Sequence, residues 1–533
     1  MKETRYDFIV VGAGSAGCVL ANRLSANPEH RVLLLEAGPE DNNIWLKIPA
    51  GLTRVFAPGR RNWGYFTEPE PHLNNRRVYW PRGRTLGGSS AINGMVYLRG
   101  HPNDYDGWAQ QGCRGWSWEE VMPYFKRSES NERGESDLHG ADGEMRVSDL
   151  VIDDEAGRLF MASAAAIGTP HRADLNDGVQ HGVSRAQATI RNHRRASTAT
   201  EFIHPVRHRA NLRIECNALA QGILFEGKQA RGITYSAGGG LATALADREV
   251  VLCGGVINSP QLLMLSGVGP GAQLREHGIE VVQDLAGVGQ NLQDHAYGYY
   301  NARVERRLSA NHRTRGLGAA WEAVKYLVAR RGYLNMGAVQ ATAFPIVLPE
   351  STQPEVEISF RPISLGPNAR GMPEIHDFPG INAACSLLRP QARGRIELAS
   401  ADPGTYPRIY ANYLDNEADR RTMREGLRWV RRCFESPPLA NRIIREEAPG
   451  AQVASDPEWD AYMRDTVQTV YHPVGTCAMG VGESAVVDPE LRVRGLSRLR
   501  VADASVMPTI TSSNTNAPTI MIAEKAADMM LAG

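Results

Sequence analysis

Cysteine is scarce in this 533-residue chain, and the few present are dispersed. The seven, Cys18, Cys113, Cys216, Cys253, Cys385, Cys433 and Cys477, are odd in number and contain no C-x-x-C pair. That pattern argues against a disulfide framework and against a zinc site, and it suits a reducing compartment. Excess charge is missing too. Lys plus Arg and Asp plus Glu each number 59, so the net charge is zero and nothing in it favours nucleic acid or an anionic membrane as the main partner. No apolar run reaches the roughly 18 residues that would suggest a bilayer-spanning helix. The opening "MKETRYDFIVVGAG" carries neither the basic region nor the cleavage site of a signal peptide. Internal repeats and low-complexity tracts are absent as well. A cytoplasmic protein without a transmembrane segment is expected, with peripheral membrane contact left open. At this length two or more domains are expected.

What the chain does have begins at residue 6. "YDFIVV" reads as a buried parallel strand, "GAGSAG" follows at once, and "SAGCVLANRLSANP" has helical spacing up to Pro28. "RVLLLEAG" then reads as a second strand ending in Glu36, nineteen residues beyond Gly17. This is a complete βαβ opening for a dinucleotide. Gly12 allows the tight turn, Gly14 lets backbone approach a pyrophosphate, and Gly17 lets the helix lie close to the strand. The helix N-terminus offers free N–H groups to phosphate, and Glu36 is placed to hold ribose hydroxyls.

Further on, "RGRTLGGSSAINGMVYLRG" (residues 82 to 100) gathers Gly87, Gly88, Ser89, Ser90 and Asn93 into one loop suited to a flat or phosphorylated ligand. Near residue 200, "NHRRASTATEFIHPVRHR" is locally basic; Thr198 and Glu201 predict a capping box there, with the arginines solvated. In "TVYHPVGTCAMG", Pro473 restricts the backbone of His472 to extended or turn conformations. A histidine held that stiffly is a candidate for positioned proton chemistry.

Four stretches together resemble the glucose–methanol–choline (GMC) family of flavoprotein oxidoreductases along nearly the whole chain. They are the N-terminal fingerprint, "GRTLGGSSAING", "GGVINSPQLLMLSGVG" (residues 254 to 269) and the block from "YHPVGT" to "RVADASVMPTITSSNTNAPTIMIAEKAAD". Val256 stands where a smaller residue is usual, a packing variant. The resemblance implies an α/β fold: a Rossmann-type FAD-binding domain with an inserted α+β substrate domain built on an antiparallel sheet. Residues 1 to 155, 205 to 305 and 462 to 533 would form the flavin half, and residues 156 to 204 and 306 to 461 the other.

The resemblance further implies that Gly12, Gly14, Ser15, Gly17, Glu36, Gly87, Ser89, Asn93, Gly94, Val96, Asp503, Ala504, Pro518 and Thr519 hold FAD. Binding is expected to be noncovalent, because Ile92 stands where some relatives tether the flavin through a histidine. His472 and Asn516, 44 residues apart, would be the catalytic pair, and Gln340 and Tyr471 would face the substrate. The expected chemistry is oxidation of a neutral primary alcohol to the aldehyde: His472 takes the hydroxyl proton while hydride passes to flavin N5. Gln340 in place of a carboxylate argues against a quaternary cation such as choline. Choline oxidation, a lyase or photodecarboxylase of the same family, and a flavin-binding protein without catalysis are the alternatives. The electron acceptor, oxygen or a quinone-like molecule, stays open.

Overall fold

A computed structural model describes residues 4–150, 152–368 and 371–532. The first strand is Thr4–Val11, the helix Ser15–Leu24 follows, and the second strand is Val32–Glu36, five consecutive buried residues. Such uninterrupted apolar runs are what a parallel sheet covered on both faces requires. The sheet has seven strands. Leu212–Cys216, Val32–Glu36, Thr4–Val11 and Gly240–Leu252 run parallel in that order, with Leu499–Val501 parallel beside the last. An antiparallel extension, Gln229–Ala237 and Leu219–Glu226, completes one edge. Both ends of the chain therefore meet in one sheet. The terminal helix Asn516–Ala532 lies against Ser15–Leu24.

A second seven-stranded sheet is antiparallel throughout. Its order is Ile443–Ala448, Ala296–Val304, Gly380–Leu387, Val356–Arg361, Ala341–Phe344 and Gly182–Ser184, with Gln468–Thr469 also paired to Ala296–Val304. The amphipathic helix Glu417–Phe434, capped by the Asn416 side chain, covers one of its faces. Two segments depart from the expected division of the chain. Ala296–Val304 and Gln468–Thr469 fall within the bounds expected for the flavin half, yet they are hydrogen-bonded into the second sheet. The reason lies in Ala296–Val304 itself: eight of its nine residues are buried and both its edges are paired, so it is an inner strand of that sheet.

The basic tract near residue 200 also differs from expectation. Thr198 makes no capping bond; its hydroxyl pairs with Ser90 Oγ at 2.8 Å, and Glu201 forms an ion pair with Arg191 at 2.6 Å. Ser197 and Thr200 exchange hydrogen bonds instead, each backbone N–H donating to the other's hydroxyl. Arg195 is buried rather than solvated. Its guanidinium donates to the carbonyl of Leu46 and to the side chain of Asn93, and burial pulls its pKa down to about 9. That arginine ties this segment to the 82–100 loop.

Candidate active site

One cavity of about 880 Å³ runs between the two sheets, from the βαβ turn at Gly12 to His472. Its two ends are built differently, the first mainly from backbone and the second mainly from side chains.

At the first end Gly12 has φ +104°, and a Cβ there would meet the Cys253 carbonyl oxygen at 2.5 Å. Gly14 caps the helix Ser15–Leu24 without any side-chain hydrogen bond, so the first amides of that helix have no side-chain oxygen over them. Gly88, with φ +51°, packs so closely that an added Cβ would come within 2.6 Å of Gly14 Cα. A cradle with this little side chain admits a pyrophosphate to backbone distance. Gly17 is away from the cavity, pressed against the Gly12 carbonyl, which is the packing role expected of it. Glu36 lines the cavity and accepts from the Ala13 amide at 3.1 Å and the Gly38 amide at 2.8 Å; burial raises its pKa to about 7. These residues fit a dinucleotide.

Ser15, Ser89, Asn93, Gly94, Val96, Asp503, Ala504, Asn516 and Thr519 line the same cavity. Gly87 and Pro518 stand behind its wall: Gly87, with φ +89°, shapes the loop, and Pro518 occupies the first turn of the last helix. Asp503 gives its oxygens to the protein, accepting from Gly255 N at 2.8 Å, Ser259 Oγ at 2.6 Å and Ser505 N at 2.8 Å. Ile92 also faces the cavity and is packed with Leu46, Val55 and Ala91, an alkyl side chain unable to bond to a flavin.

At the second end His472 is held from three sides. Its Nδ1 lies 3.0 Å from Nδ1 of His295, its Nε2 lies 3.0 Å from Nδ2 of Asn514, and its backbone N–H donates to Asp294 Oδ1 at 2.9 Å. The proton positions follow from the far end of this chain. His295 Nε2 lies 3.1 Å from the Leu388 carbonyl, which can only accept, so Nε2 carries the hydrogen and Nδ1 of His295 is the acceptor. His472 must then donate through Nδ1–H. Its Nε2 is left with a lone pair, which receives the Asn514 amide. Both rings are neutral at physiological pH: burial pulls His295 down to about 4 and, with His295 and Arg82 nearby, holds His472 well below the usual imidazole range.

Asp294 anchors the loop. It also accepts from Thr469 Oγ1 at 2.5 Å and from the hydroxyl of Tyr413, and burial raises its pKa to about 6. Arg82 Nη2 donates to the Tyr471 carbonyl at 2.6 Å, and Tyr471 has φ +73°. The stiff conformation read from Pro473 is therefore reinforced at the Tyr471 carbonyl and at the His472 amide. Tyr471 lines the cavity as expected, beside Phe56, Tyr297, Val339 and Arg361.

Two expectations about side chains change. The side chain touching His472 is that of Asn514, not Asn516, whose Oδ1 accepts from Ser15 Oγ at 2.7 Å. Gln340 does not face the cavity at all. Its backbone N–H donates to the Phe360 carbonyl, extending the second sheet, and its amide is buried beside Asp154 and Arg185 while donating to the Gly337 and Val339 carbonyls. Strand alternation explains this: Val339 faces the cavity, so its neighbour points away. His295, Asp294, Asn514 and Arg82 escaped the sequence reading. The adjacent Asp294 and His295, and a second asparagine two residues before Asn516, were the available signals.

Comparison with known proteins places the chain. Family profiles described as GMC oxidoreductase match residues 6–297 and 390–523. An alcohol dehydrogenase [acceptor] of Pseudomonas putida is 43% identical, the match covering 99% of this chain and 96% of that protein. An oxygen-dependent choline dehydrogenase of Burkholderia multivorans is 42% identical over 99% of this chain and 94% of its own. Among solved structures, pyridoxine 4-oxidase from Mesorbium loti superposes with a TM-score of 0.88 at 31% identity, covering 98% of each chain. A dinucleotide cradle, a buried histidine across the same cavity, and full-length similarity of this kind agree: the chain belongs to the GMC family of FAD-dependent oxidoreductases, an enzyme of the alcohol-oxidising class.

Proposed function

We propose that the protein oxidises a neutral primary alcohol to the aldehyde, with His472 as proton acceptor and noncovalent FAD held by the glycine cradle, Glu36 and the 82–100 loop. The observation that carries this reading is the lone pair fixed on His472 Nε2 inside the cavity that the cradle also lines. Bound FAD supplies the hydride acceptor. The chain's own residues do the rest. His472 Nε2 takes the hydroxyl proton once the substrate hydroxyl displaces the Asn514 amide from its lone pair, a neutral imidazole being a competent base near neutral pH. His295 holds the tautomer through Nδ1, Asn514 holds the ring at Nε2 until substrate enters, and Asn516, which lines the same cavity, is the candidate to hydrogen-bond the substrate oxygen. The Asp294 carboxylate and the strained Tyr471 backbone fix the ring's position before substrate arrives.

A neutral substrate is favoured over choline by the surroundings of His472, now that Gln340 lies outside them. Arg82 and Arg361 both line the cavity, and burial lowers the pKa of each. Neither guanidinium has a carboxylate in ion-pair contact among the described residues. Two half-buried cations repel a trimethylammonium group, whereas the aromatic and aliphatic walls accept an uncharged chain. The free state of all seven cysteines, six of them buried, fits a cytoplasmic setting. Anaerobic flavin reduction with hexanol, benzyl alcohol and choline, followed by admission of air, tests both halves of this reading. Hexanol or benzyl alcohol should give the highest kcat/KM; choline as the best of the three defeats the substrate assignment, and no reduction by any alcohol defeats the activity.

A further inference from the structure

The helix Gly316–Ala329 presents an apolar face that none of the described residues covers. Leu317 is 91% exposed and Val328 82%, and Trp321, Val324 and Leu327 are exposed with them. The 317–321–324–328 spacing places four of the five on one stripe. On the other side of the same helix Ala319, Glu322 and Ala323 line the active-site cavity. One helix is thus both wall of the site and bare surface. An apolar stripe this exposed is uncommon on a monomer and marks a contact.

Its charge identifies the contact. Between Arg306 and Arg331 there are seven Arg or Lys residues and one acid, Glu322, in a chain whose total charge is zero. Glu322 is buried and already paired, 2.9 Å from Lys325 and 3.7 Å from Arg313. Arg306, Arg315 and Arg331 are exposed and form no ion pair among the described residues. Across the cavity mouth, the segment holding exposed Ile44 and Trp45, with Arg54 over the Trp45 ring at 5.6 Å, packs on Tyr333–Asn335 through Pro49–Gly51. The rim repeats the same combination of apolar side chains, tryptophan and arginine. At 14 residues the helix is too short to cross a bilayer, which takes about 20. It has the composition of a helix lying in the interface plane, with apolar residues among the acyl chains and cations at the headgroups.

We propose that Gly316–Ala329 seats the protein on a lipid surface bearing anionic headgroups, with the mouth of the active-site cavity turned toward that surface. A second copy of the chain is a poorer occupant: a two-fold interface would press this basic surface against itself, which costs energy without an acid to offset it.

Co-sedimentation with phosphatidylcholine vesicles, with and without phosphatidylglycerol, tests the proposal without reference to the reaction catalysed. Wild-type holoenzyme should pellet with the phosphatidylglycerol vesicles and be released by high salt. Leu317→Ser combined with Val328→Ser, both outside the cavity lining, should lower the bound fraction at least tenfold while flavin absorbance is kept. Arg331→Glu should weaken binding by roughly fivefold or more. Equal binding to neutral vesicles, full binding by the double variant, or a wild-type dimer that the double variant dissolves with no vesicle binding in either would each overturn it.

Discussion

The two ends of the cavity recognise their ligands by opposite means. At the dinucleotide end recognition is made by what is missing: Gly12, Gly14 and Gly88 leave backbone bare, and the side chain that reaches in, Glu36, closes a local βαβ unit. At the proton end it is made by what is added. His472 is placed by His295, Asn514, Asp294 and Arg82, which come from three separate stretches of chain. A backbone site tolerates no added atoms, while a side-chain site tolerates no lost ones.

That contrast can be broken from either side. The largest effect is expected from His472→Ala, which removes the proposed base and should lower the rate of flavin reduction by roughly 10²- to 10⁴-fold, about 3 to 5 kcal/mol of barrier, with FAD content unchanged. Wild-type reduction by this variant, followed by stopped flow, would remove His472 from the mechanism. Gly88→Ala should do the converse. Its Cβ would meet Gly14 Cα at 2.6 Å in a backbone with φ +51°, so FAD should bind at least tenfold more weakly, as read by flavin released on gel filtration. Retention of full flavin would show that the cradle has slack.

A smaller effect separates position from chemistry. His295→Phe leaves His472 Nδ1–H without its acceptor, and kcat/KM should fall about 10- to 100-fold, the usual loss when an imidazole's orienting partner goes. Because burial holds both rings neutral, kcat/KM of the wild type should stay level as pH falls to 6.5, the ordinary value for histidine, and decline only below it. Asp294, raised to about 6, titrates in that lower range too, so Asp294→Asn should alter the decline. A wild-type midpoint above 7 would mean that His472 carries a proton in the free enzyme. The smallest change is expected for Gln340→Ala: the residue faces away from the cavity, and kcat/KM for hexanol should move less than about twofold. A tenfold loss would return Gln340 to the substrate wall.

The same contrast explains how much could be read from the sequence. The βαβ end was legible because strand, turn, helix and acid follow one another within about thirty residues, and each glycine has one steric reason to be there. His472 was legible through Pro473 and through family resemblance. Its partners were not, since Asp294–His295 and Asn514 come together with it only when two sheets are stacked, and no periodicity records that. Asn514 and Asn516 look alike in "SSNTNAP", and the start of the helix Asn516–Ala532 decides which of them turns to Ser15 and which to His472. Gln340 was misplaced by one residue of strand alternation, the slip that exchanges the two faces of a sheet.

The hydrogen-bond chain from His472 through His295 stops at the Leu388 carbonyl. A carbonyl can orient a neighbour but cannot carry a proton onward, so the chain transmits direction and not charge. Any proton that His472 collects has no exit through the protein along this line and must return by the cavity it came from. Proton release is then tied to the traffic of molecules through one mouth, so a deuterium solvent isotope effect is expected both where His472 takes the exchangeable hydroxyl proton and where that mouth empties.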